Sequence, residues 1–405
     1  MKFSIYNIPV DDGEYVIVYN TINQSLIRIH RGDYVVDNDK LIKGGFVVED
    51  DCDEVLLYEN YYLKQLYKEY ALNVTISTTL DCNLHCPYCF EEGHKRDVYL
   101  SKEGCDKIIT FVKTKGKKGA RIIWFGGEPM LNHKAISYIT KALIKEGINF
   151  NSSIISNGTI MPEDFVRQID SLKIGSVQVT LDGNEFSHNR KRFFASQQGT
   201  YRIILKNIRN LLENTNAKVI IKFNLDTENI NSYLRTKREV EDYLRASLIN
   251  ESHLEITHNL VRNITDFEGS TACLADDENF DFFYNETEPG NLLTSFMGPC
   301  AYRQENTFVF SPDGAVHKCL QQVGDNSDSI GNVFQSTLNL KRLSQWKLSN
   351  LPFEAEDCRK CRVLPLCGGG CPIDILKNGH HKCPPIKRRI EKVVRDYYNV
   401  IKGMK

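Results

Sequence analysis

No run of the 405-residue chain approaches the roughly 18 consecutive apolar residues that a membrane span requires. The opening Met1-Lys2-Phe3-Ser4-Ile5-Tyr6 lacks the apolar core of a secretory signal. The expectation is a cytoplasmic protein with no membrane partner. An excess of either charge is also missing. Lys and Arg number 51 against 52 Asp and Glu, a formal charge of -1, so nucleic acid is not an expected partner either. Low-complexity tracts are absent, and at 41% hydrophobic and 25% charged the chain can fill a sizeable core, which excludes disorder as its main state.

What the chain has in quantity is cysteine, 13 in all. In a reducing compartment disulfides do not persist, so metal ligation is the leading explanation. The cysteines are also grouped. Cys82, Cys86 and Cys89 lie together, seven fall between Cys300 and Cys383, and only Cys52, Cys105 and Cys273 stand apart.

From about residue 72 to 260, β-rich apolar runs alternate with amphipathic helical stretches, which points to an α/β fold of repeated βα units around a parallel sheet. Strands are predicted at Leu72 to Thr79, Arg121 to Phe125, Ser152 to Ser156, Ser176 to Leu181, Lys218 to Leu225 and His253 to Asn259. Helical spacing marks Ser101 to Lys115, with Ser101 as N-cap, Asn132 to Glu146 and Tyr201 to Glu213. Six units make a partial (β/α)6 TIM-like barrel, whose functional residues sit in the loops after the strands.

The flanks read differently. Residues 1–71 carry a hairpin, Tyr15 to Tyr19 with Ser25 to His30, a turn at Lys43-Gly44-Gly45-Phe46, and a helix from Asp53 to Tyr70 with the stripe Leu56, Leu57, Leu63, Leu66 and Tyr67. This predicts a small α+β, winged-helix-like module. Beyond residue 290 regular patterning weakens and only Ile386 to Ile401 is clearly helical, so bound metal is expected to hold that region. The expected division is 1–71 N-terminal module, 72–262 partial barrel, 263–299 bridging region, 300–385 cysteine-rich domain and 386–405 C-terminal amphipathic helix.

Directly after the first predicted strand, Cys82-Asn83-Leu84-His85-Cys86-Pro87-Tyr88-Cys89 has the form C-x3-C-x2-C. Three thiolates on one short loop can ligate three irons of a 4Fe-4S cluster and leave the fourth open. Structural zinc normally takes four protein ligands, and His85, set between Cys82 and Cys86, is poorly placed to be the fourth. The motif, its position and the six βα units resemble the radical S-adenosylmethionine (SAM) enzymes. In that family the open iron chelates SAM, whose reductive cleavage yields a 5'-deoxyadenosyl radical.

The resemblance implies cofactor-binding roles for further residues. Tyr88 would pack near adenine, or only support its loop. Gly126, Gly127 and Glu128, similar to a GGEP motif, would meet the SAM amino group; Ser156 and Asn157 would reach the ribose or carboxylate, though Asn157-Gly158 also reads as an ordinary turn. Asp182-Gly183, His188, Asn189 and Arg192 resemble a D-G-x4-H-D-x2-R stretch, with Asn189 where the family has Asp. Arg192 would pair with the SAM carboxylate, with Arg190 as competitor, and Asn224 is a weaker candidate.

The C-terminal order Cys300, Gly314, Cys319, Cys358-x2-Cys361-x5-Cys367-x3-Cys371 and Cys383 resembles the SPASM domain, a twin-cluster extension of radical SAM enzymes that act on peptides and proteins. It implies two auxiliary 4Fe-4S clusters: an outer one on Cys358, Cys361, Cys367 and Cys383, and an inner one on Cys300, Cys319 and Cys371. The inner cluster takes Cys273 as fourth ligand or keeps an open iron. Paired zinc ribbons are the alternative.

The roughly 80 residues ahead of Cys82 resemble the leader-gripping element of maturases for ribosomally made peptides, which adds a leader strand to a sheet edge; a plain cap on the barrel is the other reading. The expected function is a peptide maturase that abstracts hydrogen from a precursor peptide and installs a thioether or carbon–carbon crosslink, fed by a one-electron donor such as flavodoxin or ferredoxin. Alternatives are a sulfatase-maturing enzyme forming formylglycine, and a non-catalytic iron-sulfur carrier or zinc scaffold. No general base is identified.

Overall fold

The computed structural model describes residues 1–68, 71–89, 91, 97–226, 228–245, 247, 253–260, 293, 298–335, 337–381, 383–384 and 386–403. Cys273 and nearly all of the 263–299 segment lie outside them. The chain divides into two units: 1–68, 275–305 and 344–405 form one, and 69–274 with 306–343 form the other.

The first unit opens with β1 (Lys2–Phe3), β2 (Asn7–Asp12), β3 (Tyr15–Asn20), β4 (Leu26–His30), helix α1 (Asp39–Lys43), β5 (Val47–Val48) and helix α2 (Glu54–Tyr67). β2, β3 and β4 form an antiparallel sheet in that order, so the predicted hairpin is present with a further strand, β2, on its other side. The side chain of Asp53 caps α2 by accepting the Leu56 N–H at 3.0 Å. Of the predicted α2 stripe, Leu66 is buried and Leu63 packs on the core, but Leu56, Leu57 and Tyr67 do not face it. Leu56 and Leu57 are 59% and 56% exposed, while Tyr58, Tyr62 and Leu66, spaced by four residues, are buried.

The second unit holds β6 (Leu72–Ser77), α3 (Lys102–Lys115), β7 (Ala120–Phe125), α4 (His133–Lys145), β8 (Phe150–Ser156), α5 (Glu163–Val166), β9 (Ile174–Leu181), α6 (Glu185–Lys191), α7 (Tyr201–Asn214), β10 (Lys218–Leu225), α8 (Tyr233–Arg245) and β11 (Leu254–Leu260). All six strands pair in parallel in chain order, giving the α/β partial barrel. The 3.6-residue period is clear in α7, where Tyr201, Ile204, Leu205, Ile208, Leu211 and Leu212 are buried. Ser101 caps α3 by accepting the Gly104 N–H at 3.1 Å.

The sheet continues past the barrel. β12 (Thr307–Phe310) pairs in parallel with β6, and β13 (Ala315–His317), β14 (Gly331–Asn332) and β15 (Thr337–Leu338) follow as an antiparallel meander, making ten strands; helix α9 (Leu340–Leu348) comes next. Phe111 of α3 meets Phe308 and Phe310 edge-on at 5.0 and 5.1 Å. Gly314, between β12 and β13, has φ +88°, and the Phe334 ring lies where a Cβ would project.

Back in the first unit come α10 (Glu356–Arg359), α11 (Leu364–Cys367), α12 (Pro372–Asn378) and α13 (Ile386–Gly403). The region beyond residue 290 therefore has regular elements and shares apolar cores with the N-terminal segment of the same unit, which the sequence reading did not expect. Ile8, Val10, Ile17 and Tyr19 pack with Val363, Leu366, Ile390, Val393 and Val394. Tyr6, Tyr58 and Tyr62 pack with Leu351, Phe353 and Leu364. Helices α10, α11 and α12 are only four to seven residues long, too short to leave a periodic signal.

Candidate functional site: a three-cysteine loop and the ends of the barrel strands

The loop after β6 carries Cys82, half-buried, Cys86, buried, and Cys89, half-buried. Burial first of all pushes the Cys82 and Cys89 thiols up to about 12. As bare side chains they stay protonated, and they become thiolates only where a cation offsets the loss of hydration. Cys82 Sγ is also prepared as an acceptor: the Leu84 N–H points at it from 3.5 Å and the Asn157 amide from 3.8 Å. Donors to sulfur of this kind accompany iron-sulfur ligation. Among the described residues, no three His, Cys, Asp or Glu side chains converge as ligands of a single metal ion.

The neighbouring loops fasten this one. Gly127 N–H bonds to Thr79 O at 3.1 Å and Glu128 N–H to Asp81 O at 2.8 Å. Gly126, at φ +129°, and Gly127 rest on the 79–81 backbone so closely that a Cβ on either would strike a carbonyl. That packing is a demand on glycine separate from cofactor approach.

Glu128 is fully buried. Its Oε1 accepts from Met130 N–H at 3.0 Å and Ser156 Oγ at 2.8 Å, and its Oε2 from Asn157 N–H at 2.7 Å. Burial raises its carboxyl to about 7, with these donors and Arg192 pulling the other way. Asn157 in turn donates to Asn83 Oδ1 at 2.9 Å and accepts from Thr159 Oγ1 at 2.7 Å, while Asn83 donates to Thr159 Oγ1 at 2.8 Å. Glu128, Ser156 and Asn157 thus form one network with the cysteine loop. Asn83 was not singled out from the sequence, because its partner lies 74 residues away.

At the end of β9, Asp182 is 1% exposed. Its Oδ2 accepts the Tyr88 hydroxyl and lies 3.1 Å from Arg192 Nε; Oδ1 has no hydrogen-bond partner among the described residues. The Arg192 guanidinium sits 5.7 Å from the centre of the Tyr88 ring. Arg190 points elsewhere, over the exposed Phe186, so of the two competing arginines only Arg192 joins this group. His188 Nδ1 accepts the Asp182 N–H at 3.2 Å, and its Nε2 meets Thr200 Oγ1 at 3.0 Å; Thr200 Oγ1 donates to Arg192 O at 2.8 Å, which assigns the proton to Nε2. Burial, aided by Arg192, pulls the imidazole down to about 3, so it is neutral. Asn189, where the family has Asp, accepts from Thr200 and Tyr201 N–H at 2.9 and 3.0 Å and so holds the start of α7. Lys191, also unremarked in the sequence, forms a buried pair with Asp226. Asn224 is half-buried within β10, and its carbonyl accepts from Asn229 Nδ2.

The model for the radical SAM superfamily matches residues 76–240. Residues 76–240 are a radical SAM domain. The cysteine-type anaerobic sulfatase-maturating enzyme of Clostridium novyi (strain NT) is 25% identical over 328 residues, 72% of this chain and 85% of its own. The solved structure of native anSMEcpe with bound AdoMet and Cp18Cys peptide superposes with a TM-score of 0.62 at 17% identity, covering 83% of this chain and 99% of that one. SuiB of Streptococcus suis, bound to S-adenosylmethionine, gives 0.57 at 14% identity, covering 95% and 99%. At these identities the two structures establish the shared α/β fold. The radical SAM domain spans Cys82, Cys86, Cys89, Tyr88, Gly126, Gly127, Glu128, Ser156, Asn157, Asp182 and Arg192. Among the described residues no helix is long and apolar enough to cross a membrane.

The first unit carries a second thiol group. Cys358, Cys361, Cys367 and Cys383 line a cavity of about 300 Å³ together with His380, His381 and Lys387. Burial and then the neighbouring Cys367, Cys361 and Cys383 push the Cys358 thiol up to about 11. Four thiols that repel one another as anions suit a polynuclear cation. Cys300 is raised by burial and, next among the sulfurs, by Cys371 of the same unit, while Cys319, buried, follows β13 in the other unit.

Proposed function

We propose that this radical SAM enzyme matures a ribosomally made precursor peptide: one residue would lose a hydrogen atom to the 5'-deoxyadenosyl radical, and closing a thioether or carbon–carbon crosslink would release the second hydrogen as a proton to solvent and an electron to an auxiliary cluster. A 4Fe-4S cluster and SAM, when bound, would supply the radical chemistry. The protein's residues hold and orient. Cys82, Cys86 and Cys89 would ligate a 4Fe-4S cluster on a loop whose position Asn83, Asn157 and Glu128 set through hydrogen bonds. Glu128 has three donors of its own and acts in this reading as a positioning group for Ser156 and Asn157. Asp182 keeps one buried oxygen, Oδ1, available to a ligand donor, and orients Arg192 and Tyr88.

The observation that carries the peptide reading is the sheet of the first unit. β4 has no strand on its outer side among the described residues. Bonds from Arg31 N–H to Glu14 O and Asn20 N–H to Ser25 O set the alternation, so the N–H groups of Leu26, Arg28 and His30 face outward. The opposite edge is blocked: Pro9 has no N–H to offer there, and Arg395 donates to Asp11 O at 2.7 Å. A leader strand would add to β4. The four thiols around the first-unit cavity would hold the outer auxiliary 4Fe-4S cluster, with Cys300, Cys371 and Cys319 for the inner one and Cys273 as its proposed fourth ligand. The sulfatase-maturing alternative rests on the C. novyi relative, and SuiB, aligned over 95% of the chain, favours the reading that includes the N-terminal sheet.

The test is anaerobic reconstitution with iron and sulfide, then reduction with SAM and a candidate precursor peptide under mass spectrometry. Iron near twelve atoms per chain on the basis of three four-iron clusters, 5'-deoxyadenosine formation abolished by Cys86→Ala, and loss of two hydrogens from the peptide are expected. Zinc without iron, or SAM cleavage untouched by Cys86→Ala, would refute the assignment.

A further inference from the structure

Lys387 stands in the first turn of α13, followed by Arg388 and Arg389, and that turn contains no acidic residue. Helix electrostatics disfavour this arrangement, because the N-terminal end of a helix carries partial positive charge and favours carboxylates. Among the described residues no carboxylate pairs with Lys387. Its ammonium donates to Cys383 Sγ at 3.4 Å, and its electrostatic neighbours are the sulfurs of Cys361, Cys383 and Cys358. It also lines the cavity that those cysteines share with Cys367. An exposed lysine whose ammonium reaches the cysteine cavity, at a position where its own helix works against it, is placed to meet negative charge on those sulfurs.

We infer that Lys387 is a positioning residue for the reduction potential of the outer auxiliary cluster, placing a fixed positive charge and an N–H···S donor beside the Cys383 ligand. The inference rests on the assignment of Cys358, Cys361, Cys367 and Cys383 as that cluster's ligands. A 4Fe-4S cluster with four thiolates gains one further negative charge on reduction, so a nearby cation and a hydrogen bond to sulfur stabilise the reduced form more than the oxidised one. Lys387 therefore raises the potential and makes this cluster the easier of two otherwise similar clusters to reduce. Because the ammonium is exposed, solvent screens part of the effect, and the hydrogen bond at 3.4 Å confines it to the Cys383 side.

The test uses full-length protein carrying Cys82→Ala, Cys86→Ala and Cys89→Ala, so that auxiliary clusters dominate the signal, reconstituted anaerobically and titrated electrochemically under electron paramagnetic resonance. Lys387→Gln should shift one midpoint to lower potential, Lys387→Glu should shift the same midpoint further, and Lys387→Arg should restore most of the original value. Iron content should be equal in all three, since the residue is exposed. A midpoint unmoved in Lys387→Glu at full iron content overturns the role of Lys387 and leaves the four-cysteine assignment standing. Iron content unchanged by Cys361→Ala with Cys383→Ala overturns the cluster assignment, and the inference with it.

Discussion

The buried carboxylate of Glu128 accepts the backbone N–H of Asn157 at 2.7 Å, tying the loop after β7 to the loop after β8. With Ser156 and Met130 also donating, Glu128 is the common acceptor of three groups that water cannot reach. Glu128→Gln turns an amide N–H₂ toward at least one of these donors. It is expected to lose about 2–3 kcal/mol of stability in urea unfolding and to lower SAM cleavage with it. Full stability in the variant would mean that the three bonds do not hold the loops together.

Asn83 joins the cysteine loop to the same network by one donated and one accepted bond. Asn83→Ala removes both at a cost of about 1–2 kcal/mol, and it leaves all three cysteines in place. Iron should therefore still be incorporated but should pass to a chelator faster than in the unaltered protein, a rate followed by absorbance.

His188 is held neutral, with its imidazole at about 3 against an ordinary 6.5 because of burial and then Arg192. A folded-state value below the unfolded one means that the unfolded chain takes up the proton first. Stability is thus fully present above about pH 6.5 and is lost as pH falls toward 3, by up to about 1.4 kcal/mol per pH unit. Urea midpoints at pH 7 and pH 5 should differ less in His188→Gln than in the parent. An equal difference would remove His188 from the acid sensitivity.

Tyr58 packs against Phe353 at 5.6 Å and Tyr62 at 6.3 Å in a core on which Cys358 and Cys361 lean. Tyr58→Ala should cost about 3–5 kcal/mol and reduce auxiliary iron, measured per chain after reconstitution. Tyr58→Phe removes only a buried hydroxyl that has no partner among the described residues, and should leave both unchanged or slightly improved.

Arg28→Pro deletes one outward N–H of β4 while the ladder to β3 keeps its bonds. Precursor-peptide affinity, read by fluorescence anisotropy, should fall at least tenfold, about 1.4 kcal/mol, with SAM cleavage in the absence of peptide retained. Unaltered affinity would remove β4 as the leader site.

The barrel was legible because its signal is local. Each strand is an apolar run followed by a helix of the right period, and strands such as Lys218–Leu225 fall where the pattern puts them. The cysteine loop and the post-strand motifs were legible for the same reason. What failed was settled at a distance. Leu56 and Leu57 look like the core face of α2, yet Tyr58 and Tyr62 take that role because Phe353, nearly 300 residues later, packs on them. β2 was hidden by Pro9 and the pair Asp11-Asp12, residues that suit an edge strand but weaken a strand pattern. β12 to β15 are two to four residues long and draw their identity from partners, not from composition. At the site, the sequence named Glu128 and Arg192 without telling that their first partners are Asn157 and Asp182.

The pairing of β6 with β12 also bears on synthesis. Asn73 faces Thr307 across that ladder, so about 230 residues must follow β6 before its second edge can be covered. At about 5–20 residues per second, the strand that leads into the cysteine loop waits on the order of 10–50 s with one side unpaired. During that interval the nascent chain presents both a sticky strand edge and three oxygen-sensitive thiols. Iron delivery and chaperone capture would then compete for the same short segment, and yield on expression should depend on how quickly residues 307–310 arrive as much as on iron supply.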